Sequence, residues 1–298
     1  MKNLHIVTIL LILLLLKGCT AEDYSVCLPK ENITLLFSLP DNEGNETFAK
    51  HISTVDVMVF NTAGAHVLTH RVEKEALLRF QGVHLLLAPG AYRLICWGNA
   101  LDNTKYNGIE SASVPTVSYA VIHSGNTVDN SDPLFYAGVI TTVPEHEGWQ
   151  GVATFSTAHR YIEVYIKGYQ ENSNTLPAVH LNHLPAGLCL SDMAPIPDHH
   201  AVVSHKATKN VVIEGQHYAA ATFRTFLFEL DNSITINIIN PITNKSVFDL
   251  MLYDAIEQSL HSHTVTIRIM LEFKSTGVTV TIPHWSSDDV GFGYGHGY

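Results

Sequence analysis

The sequence predicts an all-β protein built from two antiparallel β-sandwiches. Three observations carry this. Segment after segment alternates apolar and polar residues with a period of two, the pattern of strands with one buried face. Gly, Pro and Asn clusters punctuate those segments at short intervals. Helical periodicity is confined to one or two short stretches. The length of 298 residues fits two domains at roughly 100–200 residues each. Hydrophobic residues make up 46% and charged residues only 15%, which supplies sizeable cores and excludes a disordered chain. With 17 Lys+Arg against 28 Asp+Glu and a formal charge of −11, the chain lacks the basic excess of a nucleic-acid binder, so no nucleic-acid partner is expected.

The N-terminus reads as an address. Lys2 precedes a nearly continuous apolar run from Leu4 to Leu16, followed by Lys17-Gly18-Cys19. A basic start and an apolar run of about 7–15 residues are the layout of a secretory signal, and the run is short against the ~20 residues of a spanning helix. A small residue directly before a cysteine resembles a bacterial lipobox, although Lys17 stands where a small uncharged residue is commoner. The resemblance makes Cys19 the lipidation site, because a thiol is the nucleophile that accepts the diacylglycerol. The alternative is an ordinary signal peptide with an incidental cysteine. Residues 1–18 are thus a lipoprotein-type signal and 19–27 a lipidated tether. Glu22 and Asp23 in that tether resemble a surface-export signal of Bacteroidota lipoproteins or are simply solvated.

Strands follow in order at 33–39, 55–60, 66–72, 83–87, 92–97 and 134–138, then at 162–166, 234–238, 264–273 and 278–282. The clearest is 264–273, where Val265, Ile267, Ile269, Leu271 and Phe273 share one face against Thr264, Thr266, Arg268 and Glu272. A short helix is expected at 47–52, started by Asn45. A longer one is expected at 249–260, capped by Asp249 with Leu252, Ile256 and Leu260 on one stripe. The breakers between Pro144 and Gly151 set the domain seam, giving an N-terminal sandwich at 28–147 and a C-terminal one at 148–298. The glycine-rich end from Gly291 to Tyr298 reads as a mobile tail.

The order of local patterns then carries a resemblance. Val55-Asp56-Val57-Met58-Val59-Phe60-Asn61 is followed by Leu87-Ala88-Pro89-Gly90-Ala91-Tyr92, Trp97-Gly98, Leu134-Phe135-Tyr136-Ala137-Gly138, Arg160 and Val278-Thr279-Val280-Thr281-Ile282-Pro283-His284-Trp285. Together with the lipobox and acidic tether, this resembles the FimB-like fimbrial anchor subunits of Bacteroidota. The resemblance implies two transthyretin-like sandwiches, an outer-membrane lipid anchor, and attachment of a fimbrial stalk subunit (fimbrillin). It also implies that polymerisation stops at this subunit. Stalk subunits of this type exchange strands after losing their first one, and main-chain hydrogen bonds supply affinity in such pairing. An anchor held at Cys19 is expected to keep its first strand, about 33–39, in its own sheet. The stalk contact would then come from elsewhere, with the C-terminal segment a candidate.

No catalytic, cofactor-binding or metal-binding residues are expected. There is no Gly-x-Ser-x-Gly elbow, no phosphate-cradling Gly-rich loop and no Cys-x-x-Cys pair. The closest histidine groups, His199-His200 and His261-Ser262-His263, fall short of the three or four converging ligands zinc needs. With Cys19 taken by lipid, three pairings remain among Cys27, Cys96 and Cys189. Cys27 with Cys96 is the preferred one, which ties the tether to a core strand. Asn32, Asn45 and Asn244 head chance glycosylation sequons. Trp97, Trp149 and Trp285 either pack internally or stack on sugars. The second function is therefore a surface lipoprotein that binds glycans. It requires exposed coplanar aromatics, whereas an anchor buries Trp97 and Trp285.

Overall fold

The computed structural model describes residues 31–281 apart from 111–113, 170–175, 198, 214, 230–232 and 257–265. The first half runs β1 (Ile33–Ser38), α1 (Phe48–His51), β2 (Val55–Asn61), β3 (His66–Val72), α2 (Lys74–Leu77), β4 (Gly82–Leu85), β5 (Gly90–Gly98), β6 (Thr104–Asn107), β7 (Thr116–Tyr119), β8 (Thr127–Val128), β9 (Phe135–Val143), β10 (Trp149–Thr154) and β11 (Ser156–Thr157). The second runs β12 (His159–Lys167), β13 (Ala178–Pro185), β14 (Gly187–Cys189), β15 (His200–Lys206), β16 (Thr208–Ile213), β17 (Gln216–Phe226), β18 (Thr235–Asn240), β19 (Lys245–Met251), α3 (Leu252–Ile256), β20 (Thr266–Lys274) and β21 (Gly277–Thr281). The protein is all-β with a few short helices, as the alternation predicts.

In the N-terminal sandwich, a three-stranded sheet ordered β10-β1-β4 faces a five-stranded sheet ordered β11-β9-β5-β2-β3. Ile33, Leu35 and Phe37 point inward from β1 and meet Val57, Val59, Leu94 and Cys96 of the facing sheet. Phe37, Phe48 and Phe155 cluster at one end with ring centroids 5.6–5.7 Å apart. β2 is buried on both faces from Val55 to Phe60, because the second face of its sheet packs against the C-terminal half. Met58, Ile95 and Trp97 belong to that second core, alongside Leu188 and Leu190.

The C-terminal sandwich pairs a sheet ordered β16-β17-β12-β20-β21 with one ordered β19-β18-β13-β15-β8. Ile162, Val164, Ile267 and Ile269 from one layer meet Val179, Leu181, Ile236 and Ile238 from the other. The halves interleave: β8 leaves the first half to pair in parallel with β15, and β7 pairs with β14.

Two expectations need correction. The seam does not lie at 147/148. β10 pairs in parallel with β1 over its whole length, so the first sandwich runs to about Thr157, and the breakers from Pro144 to Gly148 make only the turn between β9 and β10. The helix expected at 249–260 is also shorter. Asp249 lies opposite Asn237 in the β18–β19 hairpin and accepts a hydrogen bond from its amide, so helix begins only at Leu252.

His159 opens β12 at the true junction. It is 2% exposed, its Nδ1 donates to the Leu134 carbonyl at 2.8 Å, and its ring meets Phe135 and Tyr161 edge-on. Burial drives its pKa down to about 4; the Leu134 bond opposes this, and Arg224 adds to it. An unfolded histidine titrates near 6.5. Between those values the unfolded chain takes up a proton that the folded chain refuses, so stability present above pH ~6.5 is lost as pH falls toward 4. The loss amounts to roughly 3 kcal/mol at one pKa unit per 1.36 kcal/mol. The urea midpoint should therefore drop across this window, and His159→Asn should flatten the drop. An unchanged slope in the variant would clear His159 as the cause.

Candidate functional site: the first-strand slot

The position of β1 is the feature that bears most on function. It is the central strand of its sheet, antiparallel to β4 on one side and parallel to β10 on the other. Its three inward side chains are 0–3% exposed. At roughly 1.5–3 kcal/mol for each fully buried large apolar side chain, β1 contributes burial comparable to the whole net stability of a domain, about 5–15 kcal/mol. Gly82 allows the close approach of β4. A Cβ there would meet the Leu35 carbonyl oxygen at 2.5 Å.

Both ends of β1 are clamped by single polar side chains. At the start, Asn32 Nδ2 donates to the Leu87 carbonyl at 2.7 Å, and Asn32 Oδ1 accepts from the Leu87 amide at 2.9 Å. The Trp149 amide donates to the Asn32 carbonyl at 2.9 Å. Both polar atoms of the Asn32 side chain are thus engaged within the fold. At the far end, Glu46 accepts from Ser38 Oγ at 2.6 Å, the Leu39 amide at 2.9 Å and the Phe48 amide at 2.8 Å. Burial works against the Glu46 carboxylate, but these donors outweigh it and hold its pKa below the ordinary value. Gln81 Nε2 donates to the Phe37 carbonyl at 2.7 Å, and the Phe37 amide donates back to the Gln81 carbonyl.

Sequence reasoning placed β1 but missed these clamps. Asn32 and Gln81 find their partners 55 and 44 residues along the chain, whereas Glu46 sits in a polar turn and reaches back only to Ser38 and Leu39. The one local signal is an asparagine directly before an alternating run.

The other expected site residues are distributed as follows. Cys19 and Cys27, the signal and the tether lie outside the described residues, as do Trp285, His261, His263 and the glycine-rich tail. Cys96 of β5 is buried in the same core as β1 and forms no disulfide among the described residues, and burial pushes the pKa of its thiol up. Cys189 is partly exposed and forms no disulfide among the described residues; burial and then Asp192 raise its pKa. Trp97 is fully buried and its Nε1 donates to the Leu190 carbonyl at 3.2 Å. Trp149 is half-buried. Every Phe, Tyr and Trp among the described residues is at least partly buried. His199 hydrogen-bonds to the Pro197 carbonyl, and His200 meets His183 edge-on. No group of three or more His, Cys, Asp or Glu converges among the described residues. No helix there is long and apolar enough to cross a membrane.

The family model described as Mfa2, fimbrillin-A associated anchor proteins Mfa1 and Mfa2, matches residues 24–290. No curated protein matches the chain in sequence. Among solved structures, the fimbrial anchor protein Mfa2 from Porphyromonas gingivalis superposes with a TM-score of 0.66 at 14% identity, covering 85% of this chain and 97% of that one. A candidate adhesin from Bacteroides ovatus gives 0.67 at 15% identity, covering 88% and 96%. A candidate polysaccharide-binding protein from Bacteroides thetaiotaomicron gives 0.68 at 12% identity, covering 86% and 98%. At such identities these likenesses show a shared fold.

Proposed function

The chain belongs to the family of fimbrillin-A associated anchor proteins, and from that premise we propose that it is a non-catalytic outer-membrane lipoprotein that holds a fimbrial stalk at its base and ends the growth of the fibre there. The supporting observation is the filled slot. β1 is the first strand among the described residues, seated between β4 and β10 and clamped at both ends.

A subunit that adds to a strand-exchanged fibre needs an open groove, in which main-chain groups and alternate apolar pockets receive a neighbour's strand. Here that groove is occupied in cis. Lipid at Cys19 joins the bilayer to the tether, and β1 is the next strand along the sequence among the described residues. The segment that fills the slot is therefore also the one that bears the anchor, so a protease that removed it would release the subunit from the membrane. Pairing of Cys27 with Cys96 would fix the tether still more firmly to the sandwich.

Deletion of the gene should shed fibres into the medium or leave them abnormally long. Fibres of ordinary length, still firmly attached, would exclude the anchoring role.

A further inference from the structure

The outer face of the five-stranded N-terminal sheet carries three rows of side chains across β2, β5 and β9. The registers place Asp56, Trp97 and Tyr136 in the first row, Met58, Ile95 and Gly138 in the second, and Phe60, Arg93 and Ile140 in the third. The C-terminal half covers Trp97 and Tyr136 in the first row and Met58 and Ile95 in the second, whereas Gly138 is exposed. There Trp97 donates to the Leu190 carbonyl, and the Tyr136 hydroxyl donates to the Ser191 carbonyl. The third row emerges from this cover into a groove of about 410 Å³, with Leu190 and Pro115 on the opposite wall. Ile140 is 76% exposed there. The volume falls within the ~300–1,000 Å³ of ligand sites, which favour junctions of this kind.

Two further observations specify an occupant. First, β9 has an open edge beside the groove. β5 pairs with it along its full length, but on the other side β11 pairs only with Phe135 and Tyr136. From Ala137 to Val143 that edge has no strand partner among the described residues. Open edges are usually blunted by charge or proline, yet this stretch reads Ala137-Gly138-Val139-Ile140-Thr141-Thr142-Val143 and has neither. Second, Arg93 stands apart from the other arginines. Arg71 and Arg268 sit in ion pairs, and Arg79, Arg160 and Arg224 donate to main-chain carbonyls. Exposed Arg93 makes no ion pair or hydrogen bond among the described residues, and it lies directly across from Ile140.

The geometry points to this row as the docking groove for one extended strand of a partner protein. That strand would pair with the free edge of β9, lay an apolar side chain over Ile140 and set an Asp or Glu carboxylate on Arg93. Main-chain pairing supplies the affinity in such an arrangement, and the apolar and acidic side chains fix the register. Taking the partner to be the fimbrial stalk subunit rests on the anchoring reading above.

The test uses the full-length gene in deletion cells, together with the mature chain and the stalk subunit purified from the same cells' fimbriae. Ile140→Lys and Arg93→Glu should each weaken binding of the stalk subunit at least tenfold and shed fibres, with the melting temperature unchanged. Val247→Lys, at an exposed position of the C-terminal edge strand β19, should do neither. Wild-type binding by both groove variants, equal loss in Val247→Lys, or no binding by the wild-type chain would each overturn the proposal. Fibres that stay attached when the gene is deleted would instead overturn the anchoring reading itself.

Discussion

Leu35→Asp should destabilise the chain by more than about 4 kcal/mol, because truncating a buried leucine alone costs roughly 2–5 kcal/mol and an unpaired buried carboxylate adds several more. Leu35 is 0% exposed at the middle of β1, and its carbonyl lies against Gly82. It belongs to an apolar core cluster with Ile33, Phe37, Val83 and Leu85. The expected result is a first strand that leaves its slot while β4 and β10 keep theirs. The fall in urea midpoint measures the stability cost. The functional consequence is read in cells, where fibres ending on the variant should exceed wild-type length because the vacated groove accepts a stalk strand. Leu36→Asp is the matched control. Leu36 projects from the opposite, only partly buried face of the same strand, and that variant should lose little stability and leave fibre length unchanged. A Leu35→Asp chain that is as stable as wild type would refute the account of the slot.

Cys19→Ala should move the protein from the membrane fraction to the soluble one and take the fibres with it. The expected magnitude is large. Each buried methylene of an acyl chain is worth about 0.8 kcal/mol, and one chain alone gives only marginal attachment, so a multiply acylated cysteine binds far more firmly. Mass spectrometry of the wild-type mature N-terminus should find a thioether-linked diacylglycerol on Cys19. An unmodified Cys19, or a Cys19→Ala chain still in the membrane fraction, would remove the lipid anchor from the account.

How far the sequence foretold the structure depended on whether a signal was local. The strands expected at 33–39, 55–60 and 66–72 match β1, β2 and β3 to within a residue, because period-two alternation is read within a single segment. β17 escaped notice. Its Ala219-Ala220-Ala221 run lacks the β-branched and aromatic side chains that mark strands, and it becomes extended because it is paired on both sides, by β12 and β16. The misplaced seam has a similar cause. Nothing in Trp149-Gln150-Gly151-Val152 announces a parallel pairing with a strand more than a hundred residues earlier. Residues 252–256 do form a helical turn, as the spacing of Leu252 and Ile256 suggests, but Asp249 is claimed by its cross-strand neighbour Asn237 before it can cap anything. At the slot, the apolar face of β1 was legible from Ile33, Leu35 and Phe37. The clamps made by Asn32, Glu46 and Gln81 were not: those of Asn32 and Gln81 depend on where a distant main-chain group ends up, and that of Glu46 on the turn that folds it back onto Ser38 and Leu39. The free edge of β9 was hidden for the same reason: an edge is defined by what fails to pair with it.

The central claim is that the chain fills its own groove, and trans-complementation with its own first strand tests this most directly. A fluorescent peptide spanning residues 31–39 would be titrated against the mature chain and against a chain that begins at residue 40, with anisotropy as the readout. The account predicts saturable one-to-one binding to the truncated chain, with recovery of its melting temperature toward wild type, and no binding to the intact one. Ready uptake of the peptide by the intact chain would contradict the claim, as would a truncated chain that is folded and stable without it.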